Sequence, residues 1–146
     1  ACVSFGRPIS LKDFMREKHG AEISTVIEDL GKRLMEKVTE VIPVLPVPLV
    51  ATAFCDAKAP LSRLEIKARC HDLLRDFATS GAYVHMPRED EDYAIESGLR
   101  MLSLRRLVAE DADGKFAMNP DELALVKYYA NSIAHLRRNA EVGCAI

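Results

Sequence analysis

The chain of 146 residues has no Cys-x-x-Cys pair, and no His or Cys at paired metal-ligand spacing. A structural zinc site or a thioredoxin-like redox motif is therefore not expected, and neither a metal nor a cofactor is expected. It has no strong charge of one sign. The net charge is −2, which excludes a global basic field for nucleic acid or an anionic membrane, although local patches stay open. It also has no phosphate-binding glycine loop, no internal repeat and no low-complexity tract. No secretory leader is visible, so the four cysteines are expected as reduced thiols, with Cys55 and Cys70 as small core residues. The opening residues carry no initiator methionine and suggest a fragment.

No uncharged run approaches the roughly 20 apolar residues that a membrane-crossing helix needs. The longest candidate, residues 41–55, reads VIPVLPVPLVATAFC. Pro43, Pro46 and Pro48 remove backbone donors from its first half. The expectation is an apolar connector followed by a short buried helix through Phe54, with proline in its first turn. Shallow contact with a bilayer surface is the lesser alternative.

What is present is helical periodicity. Residues 2–5 read as a strand, and Ser10 caps a short helix. A longer helix follows from about Ser24 to Val41, with an apolar stripe of Val26, Leu30, Leu34 and Val38 widened by Ile27 and Met35. Gly31 interrupts that helix at a cost of about 1 kcal/mol relative to alanine, which implies a packing reason. Ser62 and Glu65 make a capping box ahead of a helix whose expected buried face is Leu64, Cys70, Leu73, Leu74 and Phe77, closed by Gly81. The charge run at 88–92 leads into a helix from Glu91 to Leu104 carrying Tyr93, Ile95, Leu99 and Leu102. A hairpin is expected with strands at Leu107–Ala109 and Lys115–Met118 around Asp113-Gly114. Asn119 and Pro120 then start a last helix. The expected fold is mainly α: a helical bundle with a small β-hairpin in winged-helix-like order, plus the short N-terminal strand.

Two His-x-x-x-x-Asp pairs invite a general-base reading. His71 and Asp76 lie inside one helix, where five residues turn the side chains apart, so that pair reads as coincidence. His85 and Asp90 lie in a loop where contact is possible, but no other catalytic element accompanies them. Tyr128, Asn131, Ser132 and His135 make a polar cluster on the last helix, expected either to satisfy buried groups or to contact a neighbouring domain or ligand. Arg100, Arg105, Arg106, Arg137 and Arg138 read as scattered surface arginines; a basic face touching phosphate groups of lipid or nucleic acid is the lesser alternative, and no aromatic-basic interleaving accompanies them.

Three stretches are familiar. VSFGRPISLKDF resembles the last strand and exit of the acyltransferase domain in membrane-bound glycerol-3-phosphate acyltransferases. VIPVLPVPLVATAF resembles the proline-punctuated segment that follows it. LALVKYYANSIAHL resembles the family's C-terminal Y-Y-x-N-x-I-A-H helix, here Tyr128, Tyr129, Asn131, Ile133, Ala134 and His135. The resemblance implies a bacterial parent that moves a fatty acyl group from acyl-CoA or acyl-carrier protein to the sn-1 hydroxyl of glycerol 3-phosphate. That step belongs to phospholipid biosynthesis at the cytoplasmic face of the inner membrane. It places the catalytic His-x-x-x-x-Asp upstream of Ala1, so no catalytic residue is expected here and the chain alone is expected to be inactive and soluble. It implies a division into residues 1–10, the last strand and exit of the acyltransferase domain, and residues 11–146, a C-terminal helical domain. The preceding acyltransferase domain would be the main partner, and through the parent the substrates and the membrane surface. Leu49 and Val50 are the candidates for the domain contact, and the severed strand 2–5 could pair in a homodimer. A winged-helix nucleic-acid module, for which mixed charge on the 62–79 helix is unfavourable, and a stand-alone interaction domain are the alternatives.

Overall fold

The computed structural model describes residues 3–137. Its helices are α1 (Leu11–Glu17), α2 (Ile23–Thr39), α3 (Pro46–Cys55), α4 (Arg63–Ser80), α5 (Glu91–Leu104) and α6 (Leu123–Ala134), and its strands are β1 (Leu61–Ser62), β2 (Val108–Glu110) and β3 (Lys115–Met118). The chain divides into two compact units, Ala1–Ile42 and Pro43–Ile146.

In the first unit Ser10 caps α1 by accepting the Asp13 N–H through its hydroxyl (3.3 Å). Ion pairs join α1 to α2: Lys18 with Asp29 at 2.7 Å, and Arg33 with Glu17 at 3.1 Å. The Arg33 guanidinium also lies over the Phe14 ring at 5.8 Å. Among the described residues of this unit, only Phe14 and Val26 are buried. The apolar stripe expected along α2 is there, but most of it faces outward: Leu30 is half-buried, and Ile27, Leu34, Met35 and Val38 are exposed. Residues 3–10, expected to begin as a strand, have no regular element, since no neighbouring strand in this unit offers backbone partners. Cys2, the first residue of that expected strand, lies outside the described residues.

The second unit is built around α3. Every residue from Pro48 to Phe54 is buried, and α4, α5 and α6 all pack against it. A helix apolar all round can persist in water only in such a position. Its prolines fit because the first-turn N–H groups have no intrahelical acceptor to lose. Thr52, the only buried polar side chain among the described residues, donates its hydroxyl to the Pro48 carbonyl at 2.8 Å. Gly98 on α5 lies directly against the start of α3. A Cβ there would come within 2.5 Å of the Pro46 carbonyl oxygen.

The Ser62–Glu65 capping box forms in both directions, and Gly81 closes α4 in the left-handed conformation (φ 76°). The buried face of α4 is Ile66, Cys70, Leu73, Leu74 and Phe77. Leu64, expected in that face, is instead 77% exposed, because it lies about 200° around the helix from Ile66. On α5, Ile95, Leu99 and Leu102 are buried as expected, while Tyr93 stays partly exposed. The hairpin pairs Val108 with Met118, Ala109 with Ala117 and Glu110 with Phe116. Asp111 holds its turn by accepting the N–H groups of Asp113 and Lys115 through one carboxylate oxygen. The last helix begins with a 3₁₀ turn, Pro120–Glu122, capped by the Asn119 side chain.

β1 completes an antiparallel sheet of order β1-β3-β2, with Leu61 opposite Phe116 and Ser62 opposite Lys115. From α3 onward the order is helix, strand, helix, helix, strand, strand, helix. This is the winged-helix order, with α4 and α5 as the helix pair and the hairpin as the wing. Among the described residues no helix is long and apolar enough to cross a membrane.

Candidate functional site

In each His-x-x-x-x-Asp pair one member makes a structural contact. His71 and Asp76 diverge on α4, and His71 instead meets two carboxylates of α5: Nδ1 lies 2.7 Å from Glu91 Oε2, and Nε2 lies 3.3 Å from Asp92 Oδ1. The contact belongs to a ladder. Arg63, Lys67 and His71 recur every fourth residue along α4, so they share one face. Arg63 pairs with Glu96 at 2.8 Å, and Lys67 with Asp92 at 3.2 Å and Glu96 at 3.6 Å. Hydrogen bonds from Lys67 and His71 hold the Asp92 carboxyl below the usual aspartate range, and Asp92 in turn raises the Lys67 ammonium. In the other pair, Asp90 is the N-cap of α5 and accepts the Tyr93 N–H at 3.0 Å, while the backbone N–H of His85 donates to the Val44 carbonyl at 2.9 Å. Between them Arg88 and Glu89 have positive φ (62° and 55°), and the Arg88 guanidinium stacks on the Tyr93 ring at 4.3 Å.

The polar cluster of α6 lies on the side of the helix away from its buried face. Val126, Ala130 and Ile133 point into the core. Tyr129 is half-buried, with its hydroxyl accepting a hydrogen bond from Arg105, whose guanidinium also lies over the ring at 5.7 Å. Tyr128, Asn131, Ser132 and His135 are all exposed on one side of the helix, and Tyr128 is 69% accessible. Satisfying buried groups is therefore not what Asn131 does.

Leu49 and Val50 are 1% and 0% exposed inside the core of the second unit. Cys70 is buried as expected and its thiol is pushed up to about 12 by burial, whereas Cys55 is half-buried. Cys144 lies outside the described residues. No group of three or more His, Cys, Asp or Glu able to hold a metal ion occurs among the described residues.

The position of α5 is that of a recognition helix, but its first turn is acidic, with Asp90, Glu91 and Asp92. Its outward side carries Tyr93, Arg100, Met101 and Leu104. A cleft of about 400 Å³ between this helix and the hairpin places Arg63 and Arg100 beside Glu96 and Glu110. The alternative basic face is not assembled among the described residues. Arg105 is engaged with Tyr129, Arg137 pairs with Asp56 at 3.1 Å, and Arg138 lies outside the described residues. A phosphate backbone needs a continuous positive surface, which this helix pair does not present.

The family model for the glycerol-3-phosphate acyltransferase C-terminal region matches residues 1–140. The chain belongs to that family. No curated protein and no solved structure matches it. A C-terminal region of a glycerol-3-phosphate acyltransferase implies a catalytic domain earlier in the parent enzyme. The family was legible in the sequence through VSFGRPISLKDF and the Tyr-Tyr-x-Asn-x-Ile-Ala-His helix, and the mainly helical fold through helical period and capping residues. The carboxylate partners of His71 were not, because they lie some twenty residues away on another helix.

Proposed function

We propose that this chain is the non-catalytic C-terminal domain of a glycerol-3-phosphate acyltransferase. In this reading its parent transfers a fatty acyl group from acyl-CoA or acyl-carrier protein to the sn-1 hydroxyl of glycerol 3-phosphate, the entry step of phospholipid synthesis. The parent works at the cytoplasmic face of the bacterial inner membrane. Residues 1–10 are the last strand and exit of the acyltransferase domain, and the strand finds its backbone partners in that domain's sheet.

The observation that carries the non-catalytic role is that one member of each His-x-x-x-x-Asp pair is held in a structural contact, His71 by two carboxylates and Asp90 as a helix cap. Acyl transfer needs a base in reach of the attacking hydroxyl and donors around the developing oxyanion. His71 is clamped by two carboxylates on a helix surface, and Asp90 is occupied as a cap. The exposed side of α6, with Tyr128, Asn131, Ser132 and His135, is an interaction face of this domain. Four surface positions in a row without a charged side chain fit a contact better than free solvent.

The test is the full-length parent carrying Tyr128→Ala with His135→Ala. Acyl transfer to glycerol 3-phosphate should fall at least about tenfold while the melting temperature holds, the scale of losing one well-packed anchor. Unchanged activity would remove the role of this face. A wild-type parent unable to acylate glycerol 3-phosphate would remove the reading altogether.

A further inference from the structure

α2 carries its apolar surface on the outside. Ile23, Ile27, Leu34 and Val38 are 74%, 64%, 48% and 50% exposed. They fall within about 60° of one another around the helix, since each is offset from the next by close to a whole number of turns. The opposite side holds Glu28, Asp29, Lys32, Arg33 and Glu36. A helix of this pattern is made to be covered on one face, and the two buried side chains of its own unit do not cover it.

A second observation comes from Gly31, which lies on the same stripe one turn from Ile27 and from Leu34. A Cβ at Gly31 would meet nothing within 4 Å. The other glycine inside a helix, Gly98, has a visible reason, because it lets the α3 backbone come close. A glycine that weakens a helix and touches nothing fits a position where another backbone arrives.

The geometry points to α2 as the docking helix for the acyltransferase domain that precedes this chain in its parent, with Gly31 as the point of closest approach. This inference rests on the reading of the chain as that enzyme's C-terminal domain. Charge favours a protein over a lipid surface as the occupant. Residues 3–42 hold seven Lys and Arg against seven Asp and Glu. A helix lying on an anionic bilayer draws instead on an excess of basic residues beside its apolar face. Sequence position favours that domain in particular. It would enter through residues 3–10, only some twenty residues ahead of α2, and a tether that short keeps the two surfaces at millimolar effective concentration. An apolar stripe of modest area is sufficient under that condition.

The experiment uses the full-length parent in its membrane, with a photo-crosslinking benzoyl-phenylalanine at position 27 or 34 and acyl transfer measured alongside. Crosslinks to peptides ahead of Ala1 are expected. Gly31→Leu should lower their yield about tenfold by holding the two surfaces apart. Gly31→Ala, which stabilises a helix standing free in solvent, should instead lower the parent's melting temperature. Crosslinks to lipid, to a second copy or to residues 43–137 would overturn the inference, as would none at all or a Gly31→Ala parent that melts higher. A parent without acyl transfer would sink the proposed function and leave the crosslink map to be read on its own.

Discussion

Replacing Gly98 by alanine should destabilise the second unit, although alanine is the better helix former by about 1 kcal/mol. The new methyl carbon would lie 2.5 Å from the Pro46 carbonyl oxygen, 2.8 Å from its carbon and 2.9 Å from Val50 Cγ2. Ordinary contact would require the start of α3 to retreat by roughly 1 Å. Two of the three obstacles are backbone, so no side-chain rotation relieves them. α3 is held on its other sides by α4 and α6, and a shift there disturbs the centre of the core. Overpacking of this kind costs about 1–3 kcal/mol. With the propensity gain set against it, a net loss of up to about 2 kcal/mol is expected. For a domain of roughly 100 residues this lowers the melting temperature by up to about 8 °C. Urea unfolding followed by circular dichroism should show a lower midpoint with an unchanged slope. A Gly98→Ala protein more stable than the parent sequence, by close to the full propensity gain of about 1 kcal/mol, would refute the close approach of α3 and α5.

Asp90→Ala should cost about 1 kcal/mol through loss of the α5 cap, and Asp90→Ser should restore most of it in the same urea assay. Cys70 should resist iodoacetamide in the folded chain at pH 8 and react after unfolding. Its pKa is raised from 9.0 to about 12 by burial, so the neutral thiol favours the folded state. That contribution is complete below pH 9 and is lost, at up to about 1.4 kcal/mol per pH unit, as the pH rises from 9 to 12. Asp92 titrates below its ordinary value because Lys67 and His71 donate to it, so its contribution is present above the usual aspartate range and is lost as the pH falls. Lys67→Met should move the Asp92 carboxyl titration upward in an NMR pH series.

The elements that announce themselves by local chemistry were legible in the sequence. The Ser62–Glu65 box, the Glu91 start of α5, the Asp113-Gly114 turn and the Asn119-Pro120 start each combine a capping or turn residue with a change of period. β1 was not legible. Two residues inside a capping box carry no alternation, and only pairing with β3 makes them a strand. The uncharged run around Leu49 reads equally well as an interface or as a core helix. What decided between them was packing by α4, α5 and α6 on three sides of the helix. In α2 the apolar period was read correctly and its partner was not, because a period shows that a face is to be covered without saying by what. The α6 cluster shows the same limit. Spacing placed Tyr128, Asn131 and His135 together, but only the tertiary position of Ile133 and Val126 showed that they face outward.

The most direct measurement is acyl transfer with labelled glycerol 3-phosphate and an acyl-CoA or acyl-carrier-protein donor, run on the purified 146-residue chain and on its full-length parent side by side. The account predicts acylated product from the parent and none above the uncatalysed background from the chain. Product formed by the chain alone would contradict it.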